Sequence, residues 1–77
     1  MSDIHLRLRE YYVKGSYRGF YKVKEQRFRM AGITFVTFAN GEKEIFATGP
    51  FREGALEAAF KQIDNYYAKQ QYRSQAV

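Results

Sequence analysis

Cysteine and tryptophan are both absent from this 77-residue chain. Without cysteine there is no disulfide framework and no thiolate metal site, and a reducing compartment is permitted. A cytoplasmic location is the expectation. Histidine and proline occur once each, as His5 and Pro50. No His-x-x-x-His pair and no carboxylate cluster has metal-ligand spacing. Ser2, Ser16 and Ser74 fall near the ends or in a turn. Glu42 and Glu44 flank a hairpin turn, where solvated carboxylates are ordinary. The glycines form no phosphate-cradling loop; each reads as a chain break or a point of close packing. A non-enzymatic protein with no cofactor and no metal is therefore expected. No apolar run approaches the roughly 20 residues of a membrane span. Residues 1–5 lack the basic flank and apolar stretch of a signal peptide. No membrane partner is expected.

What is present is aromatic and basic. Seven Tyr and seven Phe supply large apolar area per residue, which suits one small core in one domain. The formal net charge is +5, and its placement is one-sided. Residues 1–30 hold eight Lys and Arg against Asp3, Glu10 and Glu25, whereas residues 31–77 are balanced. Such a field favours an anionic partner.

Residues 4–13 allow two readings. Ile4, Leu6 and Leu8 alternate with His5, Arg7 and Arg9, which favours a strand with one apolar and one basic face. A short helix capped by Asp3, with Ile4, Leu8 and Tyr11/Tyr12 on one side, is the other reading. Gly15-Ser16 breaks the pattern, and residues 17–24 read as a strand. Residues 25–30 either extend it or form a loop before Ala31-Gly32. Residues 33–39, Ile-Thr-Phe-Val-Thr-Phe-Ala, form the clearest strand, with a composition compatible with burial of both faces. Asn40-Gly41 signals a hairpin returning over about 43–48. A two-residue loop pairs Val36 with Ile45; a four-residue loop pairs Phe38 with Ile45. Gly49-Pro50 ends the sheet. A helix is expected over about 53–72, with Leu56, Ala59, Phe60, Ile63 and Tyr67 as its apolar stripe and Arg52 as a poor cap. Glu57 and Lys61 form an i,i+4 pair, and residues 73–77 fray. The fold class is α+β: a three- or four-stranded antiparallel sheet packed on one C-terminal α-helix, with Phe35, Phe38, Leu56, Phe60 and Ile63 in the core.

The binding residues are expected between 5 and 29. On the strand readings, Arg7 and Arg9 share a face with His5. Tyr17 and Tyr21 share one face of the next strand, and Arg18, Lys22 and Lys24 the other, with Arg27 and Arg29 continuing the basic run. Interleaved Arg, Lys and Tyr suit phosphate and groove contacts on nucleic acid, with duplex DNA as the leading partner. The bland counterpart is a solvated face whose cations guard sheet edges.

Tyr17-Arg18-Gly19-Phe20, Ile45-Phe46-Ala47-Thr48-Gly49-Pro50-Phe51 and the segment Glu53-Gly54-Ala55-Leu56-Glu57-Ala58-Ala59-Phe60 resemble the first strand, third strand and helix of AP2-type DNA-binding domains. The same plan occurs in the arm-site DNA-binding domains of tyrosine integrases. The resemblance covers roughly residues 17–66. It implies a sheet face in the major groove, with Arg18, Lys22, Lys24 and Thr34 or Thr37 as contacts. The uncharged strand 33–38 departs from that family, which usually carries Trp and Arg there. Asn40-Gly41 and Glu57-Ala58-Ala59 are also similar to double-stranded-RNA-binding domains, but Phe51, Arg52 and Glu53 stand where those carry a Lys pair. The alternative is a small phage-type or accessory interaction protein. It would bind an acidic protein surface, or form a homodimer through an exposed edge or its aromatic sheet face.

Overall fold

A computed structural model describes the backbone of residues 4–76 and the side chains of residues 6–70. The elements run α1 (Ile4–Lys14), β1 (Ser16–Tyr17), β2 (Phe20–Phe28), β3 (Ile33–Ala39), β4 (Glu44–Pro50) and α2 (Phe51–Ala76). The four strands form one antiparallel sheet in the order β1-β2-β3-β4. The α+β class and the C-terminal helix are as expected from the sequence.

Residues 4–14 are helix, which corrects the favoured strand reading. Leu, Arg and Glu in this segment are good helix formers, and the helical turn brings Leu8 and Tyr11 onto the core. Leu6, apolar in the alternating pattern, is left 67% exposed. Gly15, at φ +76°, ends the helix with its N–H on the Tyr11 carbonyl at 2.7 Å, the left-handed cap glycine adopts readily. The proposed cap Asp3 and the side chain of His5 lie outside the described residues. The C-terminal helix, expected over 53–72, runs from Phe51 to Ala76, so Arg52 lies inside its first turn and not at its cap, and the backbone of 73–76, expected to fray, is helical; Val77 lies outside the described residues.

Residues 17–24 are not one strand. Arg18 and Gly19 both have positive φ, 50° and 86°, and Tyr17 pairs directly with Phe20. Positive φ at both central residues is the hairpin geometry that matches strand twist. Tyr17 therefore belongs to β1 and is buried, whereas Tyr21 belongs to β2 and is exposed. The Asn40-Gly41 hairpin takes the four-residue form: Ala39 pairs with Glu44 and Phe38 with Ile45. Asn40 works through its side chain, whose Oδ1 accepts the N–H groups of Glu42 and Lys43 at 2.9 and 2.8 Å. That is the Asx-turn chemistry of asparagine.

The core lies between the sheet and the two helices. Phe20, Val36, Phe38, Ile45 and Ala47 point towards α2, which contributes Ala55, Leu56, Ala59, Phe60 and Ile63. Tyr17 lies against Phe60 with ring centroids 4.4 Å apart, and Tyr11 covers Phe38 and Phe60. Phe35, expected in the core, is 46% exposed. Strand side chains alternate faces, so Phe35 and Phe38 cannot both point at α2. The Glu57–Lys61 pair forms, at 3.8 Å on the helix surface.

Candidate functional site

Two carboxylates collect most of the cations that the sequence assigned to binding. Asp64, on α2, receives Arg18 Nη1 at 2.8 Å and Arg7 Nη2 at 3.4 Å. Its Oδ1 also accepts the Tyr17 hydroxyl at 2.8 Å. Burial, and then the hydrogen bond to Asp64, push the Tyr17 phenol up to about 12. Arg18 is held further by its guanidinium 4.6 Å over the Tyr67 ring, while the Tyr67 hydroxyl donates to the Arg18 carbonyl at 2.6 Å. Arg18 and Arg7 thus tie the β1–β2 turn and α1 to α2.

Glu25, on β2, receives Lys22 Nζ at 2.5 Å, Arg27 Nε at 2.8 Å and Arg52 Nε at 3.1 Å. The hydrogen bond from Lys22, with those from Arg27 and Arg52 added, holds its carboxyl at about 2, against the opposing effect of burial. The sign follows from linkage. A carboxyl lowered in the folded state contributes stability that is full above the ordinary value near 4.5 and is lost as pH falls towards about 2. Glu25→Gln is expected to cost about 1–3 kcal/mol at pH 7, as charge-assisted hydrogen bonds do. Its urea midpoint should decline less steeply than wild type between about pH 4.5 and 2, by roughly one proton. Parallel declines for the two proteins would refute this role for Glu25.

Between Lys22 and Lys24 the β2–β3 register shifts at a bulge, with Lys22 opposite Phe38 and Lys24 opposite Thr37. The bulge separates the two lysines: Lys22 shares the helix side with Phe38, and Lys24 lies on the open side with Thr37. Thr34 is buried on the helix side. Of the groove contacts implied by the AP2 resemblance, the open face therefore carries Lys24 and Thr37 alone. Arg18 stands in a turn. Arg9, on α1, and Arg29, in the β2–β3 loop, are exposed. Among the described residues, Arg9, Lys24 and Arg29 form no salt bridge.

The open face is aromatic and aliphatic, not basic. Tyr21, Val23, Phe28, Ile33, Phe35 and Phe46 lie on it, with Tyr21 57% and Phe46 65% exposed. Phe28 meets Phe35 edge-on at 5.3 Å. A shallow groove of about 200 Å³ runs between Phe35 and Phe46 beside Thr37 and Thr48. Neighbouring polar positions are Lys24, Gln26, Thr37 and Thr48, opposite or diagonal to the rings in the strand register.

At the β2–β3 loop end of the sheet, a cleft of about 420 Å³ opens between that loop and the start of α2, reaching from the open face at Phe28 and Ile33 round to Arg27 and Thr34 on the helix side. Arg27, Arg29 and Arg52 line it together with Phe28, Ile33 and Phe51. Phe28 and Ile33 belong to both surfaces, so face and cleft are continuous. Phe51 has φ 59°, a left-handed conformation rare for a bulky residue. Its N–H on the Gly32 carbonyl at 3.1 Å pins the start of α2 to the loop.

Residue-level reading missed Phe28, Phe35, Phe46 and Arg52 as site residues. The alternation of β3 puts Phe35 opposite Phe38, and that parity was the available signal. Among the described residues no His, Asp or Glu cluster could hold a metal, and no helix is long and apolar enough to cross a membrane. Compared with protein-family models, with curated proteins and with solved structures, the chain has no significant match.

Proposed function

We propose that this chain is a small, non-enzymatic, cytoplasmic nucleic-acid-binding module that lays a single strand along the open face of its sheet. The observation that carries this reading is the exposed row Tyr21, Phe28, Phe35 and Phe46, continuous with a cleft holding three guanidinium groups. Aromatic platforms flanked by cations bind single strands because every base has a face to stack and every linkage a phosphate to pair. A duplex keeps its base faces hidden, and reading its major groove calls for donors on the sheet face. Here Arg7, Arg18 and Lys22 are drawn to Asp64 and Glu25, on the helix side. Lys24 and Arg29 remain beside the platform, and Arg27, held by Glu25, lines the adjoining cleft.

Titrating a labelled oligothymidylate and a duplex of equal length at several salt concentrations tests this. The single strand is expected to bind more tightly. The slope of log affinity against log salt should be near −2, at about −0.7 for each of roughly three phosphates. Absence of single-strand binding at about 50 mM salt would overturn it. An apolar face of this extent also suits association between proteins. A stable dimer in sizing experiments that binds no oligonucleotide would assign the face to self-association instead.

A further inference from the structure

We infer that the cleft between the β2–β3 loop and the start of α2 is a site for a terminal phosphate monoester of a nucleotide, so that the module grips the phosphorylated end of a strand. The inference deepens the platform reading, on which it rests only for the source of the phosphate.

Glu25 holds Arg27 and Arg52 through their Nε atoms, at 2.8 and 3.1 Å. That mode of attachment leaves the outer Nη nitrogens of Arg27, and Nη2 of Arg52, for another acceptor; Arg52 Nη1 is occupied by the Tyr12 hydroxyl at 3.1 Å. The carboxylate thus fixes two guanidinium groups in place, leaving Arg27 its pair of Nη donors and Arg52 a single one. Donors fixed in this way bind phosphate oxygens with less loss of side-chain freedom than mobile ones.

Charge decides between an internal and a terminal phosphate. Three guanidinium charges line the cleft, and Glu25, which also holds Lys22, offsets at most one. The remaining excess of at least two suits a phosphate monoester, which carries about −1.5 to −2 at neutral pH. A phosphodiester, with a single charge, would leave the cleft undercompensated. The walls give the second half of the ligand. Phe28, Ile33 and Phe51 are apolar, and the volume of about 420 Å³ falls within the roughly 300–1,000 Å³ range of small-molecule sites. A phosphate attached to a base fits such a mixed lining better than inorganic phosphate does. Phe51 adds an independent mark: a bulky side chain at φ 59°, 73% exposed, held against the cleft by its backbone. Strain of this kind persists where the surroundings over-determine it and gathers at ligand clamps.

The test uses the full chain and four oligothymidylates of one length: hydroxyl at both ends, phosphate at the 5′ end, phosphate at the 3′ end, and phosphate at both. Thymidine 5′-monophosphate alone, followed through the arginine Nε–Hε NMR signals, is the fifth arm. One phosphorylated end is expected to tighten binding at least tenfold over hydroxyl ends, and Arg29→Gln to abolish that difference. Whichever end gives the gain identifies the strand polarity. Equal affinities for all four strands would overturn the cleft while leaving the platform standing. If no strand binds but the mononucleotide shifts the Arg27, Arg29 and Arg52 signals saturably, the platform fails and the cleft is a site for free nucleotide. No shift and no gain would end the inference.

Discussion

Gly49→Ala is expected to lower the stability by about 3 kcal/mol or more, the upper range for overpacking a site that cannot relax. A Cβ at Gly49 would lie 2.5 Å from the Gly54 carbonyl carbon and 2.7 Å from the Ala55 nitrogen. Both are backbone atoms in the first turns of α2, so no side-chain rotation relieves the contact. The reciprocal position is as tight: a Cβ at Gly54 would meet Pro50 Cδ at 2.8 Å. These two glycines set how closely β4 and α2 approach, and that approach buries Leu56, Ala59 and Phe60. At about 0.05–0.15 kcal/mol per residue, a chain of 77 residues has a margin of roughly 4–12 kcal/mol, so the substitution removes a large part of it. Gly41→Ala is the control. Its φ is +94° and a Cβ there meets nothing within 4 Å, so only backbone strain of about 1 kcal/mol or somewhat more applies. Urea unfolding of the three proteins measures the difference. Equal midpoints for Gly49→Ala and Gly41→Ala would show that the β4–α2 contact is not tight.

The double variant Phe35→Ala, Phe46→Ala is expected to weaken single-strand binding at least 30-fold. Base–aromatic stacking is lost at about 1–3 kcal/mol per ring, and each 1.4 kcal/mol is tenfold. Because both rings are on the open face and substantially exposed, the fold should lose about 1 kcal/mol or less for each. Circular dichroism and a urea midpoint confirm that the protein measured is folded. The contrast is Phe38→Ala, on the same strand and fully buried, where a loss of about 3–5 kcal/mol in stability is expected. Oligonucleotide affinity of the double variant within threefold of wild type would remove the sheet face from the binding surface.

The helix-side core was largely legible in the sequence. Leu56, Ala59, Phe60 and Ile63 recur at helical spacing, and all four are buried. The β3–β4 hairpin was legible too, because Asn-Gly is chemically fit for few other places. Its register was not, since the Asn40 side chain closes a four-residue loop as readily as its backbone enters a two-residue one. Residues 4–14 misled because Ile4, Leu6 and Leu8 alternate. Leu6 belongs to no apolar face in the fold, and its place in the pattern carried no packing information.

The sequence by itself determined the α+β class, the C-terminal helix, and a positive charge concentrated in residues 1–30. Those follow from composition and local periodicity, which act within a few residues. Only the tertiary structure decided where that charge goes. Asp64 comes from 46 residues beyond Arg18 to hold it, and Arg52 comes from 27 residues beyond Glu25. A bulge at β2 then sends Lys22 and Lys24 to opposite sides of the sheet. Pairing at long sequence separation depends on how the helices pack, and no spacing rule encodes it. The same packing leaves Phe35 and Phe46 uncovered, because two helices cover one face of a sheet and the other stays open.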